Sequence, residues 1–505
     1  MICQVLNPYF GIIDLIVLKI LTRGMVKLYT IIRKYCIWMQ KELLIMKLLI
    51  KLRKTVMFFV KAMIIVAVTA GFVEVWNIYY AQTLFSNKGN YVVIFSFIFI
   101  FYILSSLYGA FNIGIYRIHE IIYSFSLAVV FTNIFMYLEL SLIARDLVAP
   151  RPMVLGVFYQ VIIVTLGSCC ANVIYFKMYK ARKVVALFSD DVYGFELIKK
   201  MSRISERFSV ECGLNAAHTD IAQIKRQIDK YEAVVICGID KNLQKEIMSY
   251  CYKNQKRTYL LPDITDIIIN NSYEIQISDT PVFMSRNRGL TMEQALFKRI
   301  FDIILSVIGL ILSSPIMLVC AIAIKLDDGG PILFKQNRIT KNGRIFNIYK
   351  FRSMIVNADK DGAKKAVNDD DRITRVGKVI RACRVDELPQ LFNVLKGDMS
   401  MVGPRPERIE NVYEYTNAYP EFELRHKVKA GLTGFAQLYG KYNTSPEDKL
   451  NMDLMYIETY SLLQDLKLLA LTLKILFMKE STEGFDEKAN ENVRASNSRK
   501  MNDDK

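Results

Sequence analysis

Long apolar runs with few charges dominate the first third of the chain. They cover residues 56–76, 89–116, 121–138 and 153–176. The last three contain no charged residue, whereas the first has Lys61 and Glu74 near its ends, where side chains can reach the membrane surface. Each run is long enough to cross roughly 30 Å of hydrocarbon as a helix. The pattern therefore predicts a four-helix transmembrane bundle over residues 56–177.

Basic residues are concentrated on both flanks of this predicted bundle. Residues 1–55 are rich in Lys and Arg and contain only Asp14 and Glu42 as acids, and residues 177–183 are basic again. Because cytoplasmic loops carry the excess of Lys and Arg, both ends of the bundle are predicted to lie in the cytoplasm. The alternating basic and apolar positions of 1–55 predict an amphipathic extension on anionic lipid. An upstream extension without functional importance explains them equally well.

Strand-like and helix-like patterns alternate over residues 182–280. The predicted strands are 184–188, 233–237 and 258–261, and the helical patterns lie near 194–207, 219–230 and 241–254. Such alternation is typical of a parallel, Rossmann-like α/β domain. A nucleotide site would need glycines after the first strand, where the chain has Asp190 and Asp191 instead. Two carboxylates would repel a phosphate, so we predict a structural or regulatory domain rather than a nucleotide-binding one.

A further apolar run, residues 303–324, contains Ser314 and Pro315 near its middle. Proline removes a helical hydrogen bond and bends the helix, and a serine hydroxyl can satisfy the backbone group left open. A plain crossing would carry everything after the run out of the cytoplasm, away from its nucleotides. We therefore predict a re-entrant helix that enters and leaves on the same membrane face, with a plain crossing as the alternative.

The composition limits the classes of protein that remain. Of the 505 residues, 52% are hydrophobic and 23% are charged, and the formal net charge is +17. The apolar fraction excludes a disordered chain and disfavours a wholly soluble enzyme. Nine cysteines without a C-x-x-C pair, and only three histidines, disfavour a zinc site.

Cations interleaved with glycine and proline follow the predicted re-entrant helix over residues 329–406. Such loops suit a fixed anion site better than a flexible basic tail. A nucleic-acid partner is not predicted, because phosphate affinity alone does not indicate one and no known reader motif is present.

Two neighbouring carboxylates, Asp386 and Glu387, lie within this basic region. Pro389 is tolerated only in the first turn of a helix, so a helix is predicted to begin at about Asp386. The helix dipole stabilises a carboxylate there and also favours a bound phosphate. A capping role for the acidic pair is the alternative, and the surrounding cations favour catalysis.

Three motifs closely resemble those of the bacterial sugar transferase family. They are, in chain order, K-F-R-S-M at 350–354, D-E-L-P-Q-L-F-N-V-L-K-G-D-M-S-M-V-G-P-R-P at 386–406 and G-L-T-G-F-A-Q at 431–437. The resemblance covers about residues 290–480 and is to the polyprenyl-phosphate sugar-1-phosphate transferases of the monotopic type, in their long form. It implies an α-helical membrane bundle, a Rossmann-like α/β middle domain and an α+β monotopic phosphoglycosyl transferase domain with a re-entrant membrane helix.

The residue patterns and the resemblance together predict how the chain is divided. The segments are a basic amphipathic extension (1–55), the four-helix bundle (56–177), the α/β domain (182–280), the catalytic domain (290–480) with its re-entrant helix (303–324) broken at Ser314 and Pro315, and a polar tail (481–505).

The implied reaction moves a sugar 1-phosphate from a UDP-sugar to undecaprenyl phosphate. Asp386 would be the nucleophile that forms a covalent phosphosugar and releases UMP, and Glu387 would assist it. Mg²⁺ would be held by Asp386 and Glu387 together with the diphosphate. By position in the family motifs, the phosphate-binding cations are Lys350, Arg352, Arg381 and Arg405, and the uridine-side residues are Gly431, Thr433, Gly434 and Gln437.

The implied partners are the UDP-sugar, undecaprenyl phosphate and membrane lipid, and the long form suggests a homodimer and polysaccharide-assembly proteins as well. The implied location is the bacterial inner membrane, with several crossings and a cytoplasmic catalytic domain, at the first membrane step of exopolysaccharide, capsule or O-antigen assembly. The alternative function is a membrane-anchored regulatory or nucleotide-sugar-modifying protein of the same pathway.

The sugar itself is left open, because these motifs recognise phosphate and uridine more than a pattern of hydroxyl groups. Ala430 stands where a proline is common in the family, and Phe435 stands where a tryptophan is common. Neither change removes a reacting group, but either could alter the preference for one nucleotide sugar.

Overall fold

The computed structural model describes residues 52–81, 88–202, 204–285, 289–356, 372–440 and 444–476. The predicted amphipathic extension up to residue 51 and the predicted polar tail lie outside the described residues. Close contacts divide the chain into two compact units, a helical one and a larger one that holds nearly all the strand residues.

Four long helices make up most of the first unit. They are α1 (Arg53–Tyr79), α2 (Gly89–Leu107), α3 (Ile118–Ala144) and α4 (Arg151–Met178). Each is long and apolar enough to cross a membrane, which agrees with the four predicted runs. Gly71 of α1 lets Tyr159 of α4 approach closely, and Asn133 of α3 donates to Gln160 Oε1 of α4 at 2.7 Å. Small residues and buried polar pairs of this kind join helices where lipid weakens the hydrophobic drive.

An α/β region opens the second unit. Its elements are β1 (Arg182–Phe188), α5 (Asp191–Ser202), β2 (Phe208–Asn215), α6 (Ile221–Lys230), β3 (Ala233–Cys237), α7 (Lys241–Lys253), β4 (Arg257–Leu260) and α8 (Ile264–Asn270). The sheet order is β2-β1-β3-β4, and β3 pairs in parallel with both β1 and β4. This confirms the predicted α/β region with a parallel sheet. Strand β2 is absent from the prediction because Ser209, Glu211 and Asn215 interrupt its apolar pattern at the sheet edge.

A hairpin and one very long helix follow the sheet. The hairpin consists of β5 (Tyr273–Ile277) and β6 (Thr280–Met284), and helix α9 (Met292–Asp328) is 37 residues long. Pro315 lies inside α9 and cannot donate to Ile311 O, so the Ser314 hydroxyl donates to that carbonyl instead, at 2.8 Å. The predicted rescue of an open backbone group by serine is therefore confirmed.

The remaining residues form an α+β arrangement. Strands β7 (Leu333–Ile339) and β8 (Ile345–Phe351) are antiparallel, and β9 (Ser400–Val402) and β10 (Gly431–Thr433) are parallel. The helices are α10 (Arg375–Ala382), α11 (Gln390–Lys396), α12 (Ile409–Ala418), α13 (Phe435–Tyr439), α14 (Pro446–Glu458) and α15 (Leu462–Leu476). Val402, Phe422, Leu454 and Leu468 share one buried cluster, which fixes β9 against α14 and α15.

Candidate active site

The acidic pair lies in a tight turn directly before helix α11. Residues Val385–Glu387 form a 3-10 turn, and Pro389 is the N-cap of the α-helix, which begins at Gln390. The prediction that the helix begins at about Asp386 is therefore wrong by one turn. The short i to i+3 bonds of the 3-10 turn, such as Leu388 N to Val385 O at 3.1 Å, suit a chain that must pass through proline.

Glu387 is held by cations from two other parts of the chain. Lys350, on β8, places its Nζ 2.8 Å from Glu387 Oε1. Arg405, in the Pro404–Pro406 turn, places a guanidinium nitrogen 3.8 Å from the same oxygen. Burial alone would raise the pKa of Glu387, but Lys350 and Arg405 outweigh it and lower that pKa to about 2. Glu387 is therefore ionised at every physiological pH.

For Asp386, burial outweighs the neighbouring cations, so its pKa is raised rather than lowered. Burial raises the pKa of its carboxyl to about 6, and the neighbouring Glu387 charge adds to the rise, while Lys350 and Arg381 oppose it. Two adjacent carboxyls are thus pushed apart in pKa by their surroundings, which is typical of sites that divide catalytic roles between them. An ionised, partly desolvated Asp386 is suited to nucleophilic attack.

Arg381 and Arg352 offer buried donors that protein groups leave open. One terminal guanidinium nitrogen of each has no hydrogen-bond partner among the residues that the structure describes. Arg352 is only 7% exposed and pairs with Asp328, at the end of α9, rather than with the acidic pair. Buried donors without partners are uncommon, and an anionic ligand is one kind of group that would satisfy such a donor. The structure therefore brings Lys350, Arg381 and Arg405 to the carboxylates and places Arg352 beside Asp328, at the end of α9.

The predicted uridine-side loop has a clear packing role. Gly431 and Gly434 approach the backbone of Gly403 so closely that a Cβ on either would clash with it. Gly403 N donates to Thr433 O at 2.8 Å, and the Thr433 hydroxyl lies 2.7 Å from that of Thr472. This packing supports the turn that carries Arg405.

Gln437 differs from the glycines of this loop because it keeps an open polar atom. Its Nε2 donates to Leu432 O at 3.1 Å, while its buried Oε1 has no partner among the described residues. Contact between this loop and a uridine stays a prediction.

The acidic pair fits a metal only if a substrate completes the site. Among the described residues, no group of three or more His, Cys, Asp or Glu side chains is placed to hold a metal ion. Mg²⁺, however, often takes one or two carboxylates and completes its shell with water and substrate phosphates. Both ion pairs of Glu387 go to Oε1, so Oε2 is the oxygen better placed for such a role.

Two participating residues are absent from the sequence-based prediction. Arg384 has φ +54° in the turn before Asp386 and contributes to the low pKa of Glu387. Asp328 pairs with Arg352. Arg384 is signalled by its place beside the acidic pair, whereas Asp328 is brought to Arg352 only by the tertiary fold.

Comparison with known proteins agrees with this geometry. Residues 293–479 match the family model described as bacterial sugar transferase. A protein of Aeromonas hydrophila named UDP-N-acetylgalactosamine-undecaprenyl-phosphate N-acetylgalactosaminephosphotransferase is 46% identical over 49% of this chain and 59% of its own length. A UDP-glucose:undecaprenyl-phosphate glucose-1-phosphate transferase of Caulobacter vibrioides is 39% identical over 36% of this chain and 71% of its own length.

A third relative is matched over most of its length. It is an uncharacterized sugar transferase of Bacillus subtilis, 39% identical over 37% of this chain and 91% of its own length. The chain spans about half the length of several larger curated relatives, such as 49% of a Klebsiella pneumoniae protein. Since the Caulobacter and Bacillus proteins are each 39% identical to this chain and are matched over 71% and 91% of their own length, the chain belongs to the bacterial sugar transferase family.

Proposed function

We propose that this protein transfers a sugar 1-phosphate from a UDP-sugar to undecaprenyl phosphate through a covalent phosphosugar on Asp386. The observation that carries the proposal is the difference in pKa between two adjacent carboxyls. Lys350 and Arg405 keep Glu387 ionised, whereas burial raises the pKa of Asp386 to about 6. The names of the Aeromonas and Caulobacter relatives support the two substrate classes.

The reaction divides into two displacements at one phosphorus atom. A carboxylate oxygen of Asp386 attacks the β-phosphorus of the UDP-sugar, and the bond to the bridging oxygen breaks, so that UMP leaves with the electron pair. A phosphate oxygen of undecaprenyl phosphate then attacks the same phosphorus, and the bond to Asp386 breaks. The carboxylate is regenerated and the sugar remains on a lipid diphosphate. Covalent catalysis replaces one difficult transfer by two easier ones.

The cations around the pair would stabilise the charge that moves during these displacements. Lys350 and Arg405 contact Glu387. Arg381 lies within electrostatic reach of Asp386 and has one buried nitrogen with no hydrogen-bond partner in the described part of the chain. Preorganised donors in a partly buried site act strongly on a developing charge because they need little reorganisation. Mg²⁺, held by Asp386, Glu387 and the diphosphate, would neutralise phosphate charge.

The contacts of α9 support a re-entrant path rather than a crossing. Near its start, Arg299 donates to Val394 O and Leu395 O, both at 2.7 Å. Near its end, Ile324 shares a buried cluster with Phe351 of β8 and Ile380 of α10. Both flanks of the helix therefore rest on the same folded region. A crossing would separate them by roughly 30 Å of hydrocarbon.

This path predicts that both flanks of α9 face the cytoplasm. In a variant whose native cysteines are replaced by serine, Glu293→Cys and Lys341→Cys are expected to react with a membrane-impermeant maleimide only from the cytoplasmic face. Leu147→Cys, in the loop between α3 and α4, serves as the control that should react from outside. Labelling of Lys341→Cys from outside would show a plain crossing instead.

The proposed reaction would take place at the bacterial inner membrane, with the catalytic region on the cytoplasmic side, and it would begin assembly of a surface polysaccharide. Membranes containing the protein are incubated with radiolabelled UDP-glucose, UDP-galactose, UDP-N-acetylglucosamine or UDP-N-acetylgalactosamine, together with undecaprenyl phosphate and Mg²⁺. We expect lipid-linked label and UMP with at least one of them. Release of UDP instead of UMP, or no product with any sugar, would refute the reaction.

A further inference from the structure

Asn393 joins α11, the helix that follows the acidic pair, to the strand that carries Lys350. Its side chain is completely buried. Asn393 Nδ2 donates to Asn347 O at 2.8 Å, and Asn393 Oδ1 accepts from Tyr349 N at 2.9 Å. One side-chain amide therefore bonds two backbone groups of β8.

The position of these backbone groups explains why a single amide can bind both. In the β7–β8 pair, Asn347 lies opposite Asn337 and Tyr349 opposite Lys335. Alternate residues of an antiparallel strand direct both N–H and C=O away from the partner strand. The Asn393 amide occupies this open edge of β8 as a peptide group of a third strand would.

Apolar packing between the same two elements leaves their relative position along the strand open. Phe346 and Ile348 of β8 share a buried cluster with Val394 of α11 and with Met399. Hydrophobic contact is non-directional, so it permits small displacements along the strand. Two hydrogen bonds to backbone atoms at a fixed spacing prevent such displacements, because each bond holds only over a narrow range of distance and angle.

Lys350 follows the bonded residue Tyr349 directly, and its ammonium lies 2.8 Å from Glu387 Oε1. Glu387 lies in the turn just before α11 and Asn393 lies near the middle of α11, so this turn and helix bond to two neighbouring residues of the strand, Lys350 and Tyr349. A displacement of β8 would carry the Lys350 ammonium away from both carboxylates.

We propose that Asn393 is a positioning residue that sets the Lys350 ammonium against Asp386 and Glu387. The inference rests on the proposed sugar-phosphate transfer, and it concerns how that site is assembled. The completely buried Asn393 side chain bonds to backbone groups of β8 and not to the carboxyl groups of Asp386 or Glu387. It acts on the reaction through β8.

The test uses two variants of the full chain in membranes. Asn393→Leu removes both hydrogen bonds at similar volume, and Asn393→Asp keeps the acceptor for Tyr349 N while losing the donor to Asn347 O. The matched control is Thr340→Val, because Thr340 is also buried and also joins two backbone groups, Asp398 O at 2.9 Å and Ala430 N at 3.1 Å. The comparison is therefore between two equally buried polar contacts.

We expect kcat to fall about 10- to 100-fold in whichever Asn393 variant folds, since displacements of about 1 Å can have effects of this size. KM for the UDP-sugar should change less than about threefold, and hydrogen exchange of the 345–351 backbone should accelerate. Thr340→Val should lose thermal stability but keep kcat within about twofold. In a Lys350→Met background, the Asn393 substitution should cause little further loss, because there is no ammonium left to position.

Two results would overturn the inference. One is a double variant in which the fall in kcat equals the product of the falls caused by the Asn393 substitution and by Lys350→Met alone. Such a result would mean that Asn393 acts independently of the Lys350 ammonium, as a merely structural residue would. The other is unchanged hydrogen exchange of β8 in both Asn393 variants, a readout that needs no activity. An inactive wild-type chain would instead refute the proposed reaction, so the two failures are distinguishable.

Discussion

Asp386→Asn is expected to reduce sugar-phosphate transfer by at least about 10³-fold, because an amide oxygen does not replace the carboxylate nucleophile. The substitution changes little else, since Asp386 forms no ion pair within the described part of the chain. The measurement is radiolabelled lipid product formed by membranes with the UDP-sugar and undecaprenyl phosphate. Asp229→Asn, in the α/β region, is the control with the same chemical change and full expected activity.

A second measurement on the same variant isolates the covalent step. Without undecaprenyl phosphate, the wild-type chain should release about one UMP per active site and retain sugar label on the protein. Hydroxylamine should remove that label, since it cleaves acyl phosphates. Asp386→Asn should show neither event. Full activity in Asp386→Asn, or label that persists in it, would contradict a nucleophilic role for Asp386.

Lys350→Met is expected to lower kcat by about 10²- to 10³-fold, the usual effect of removing one preorganised cation from a site of developing charge. It should also change the dependence on pH. Lys350 lowers the pKa of Asp386, which burial raises to about 6. Without the ammonium that pKa moves higher. Because the nucleophile must be ionised, activity is lost as pH falls through this value, so the half-loss point should rise above about 6.

The control for this prediction is Lys335→Met, on the strand paired with β8. Lys335 lies over the Tyr349 ring and makes no ion pair among the described residues. It should keep nearly full activity and an unchanged pH profile. Lys350→Arg should restore part of the lost rate. A Lys350→Met chain with the wild-type pH profile would show that the ammonium does not act on Asp386.

Sequence-based prediction succeeded for elements whose signal is local. Apolar runs indicated helices α1 to α4, because a membrane-spanning length of apolar residues has few other uses. The runs 184–188 and 233–237 indicated β1 and β3, since strands buried on both faces are continuously apolar. Strand β2 was not predicted because one side of it is partly exposed, so its residues are not continuously apolar. The start of α11 was misplaced because a 3-10 turn and an α-helix have nearly the same sequence signals.

The sequence by itself determined the family motifs, the adjacent carboxylates and the cations on either side of them, because each of these is read directly from the order of residues. Only the tertiary structure decided which cation reaches which carboxylate. Lys350 and Glu387 are 37 positions apart, and Arg352, two residues beyond Lys350, pairs with Asp328 instead. The tertiary structure also showed that both flanks of α9 rest on one folded region. The physical reason is that pKa values and re-entrant paths depend on distances through space, and residue order leaves those distances open until the chain folds.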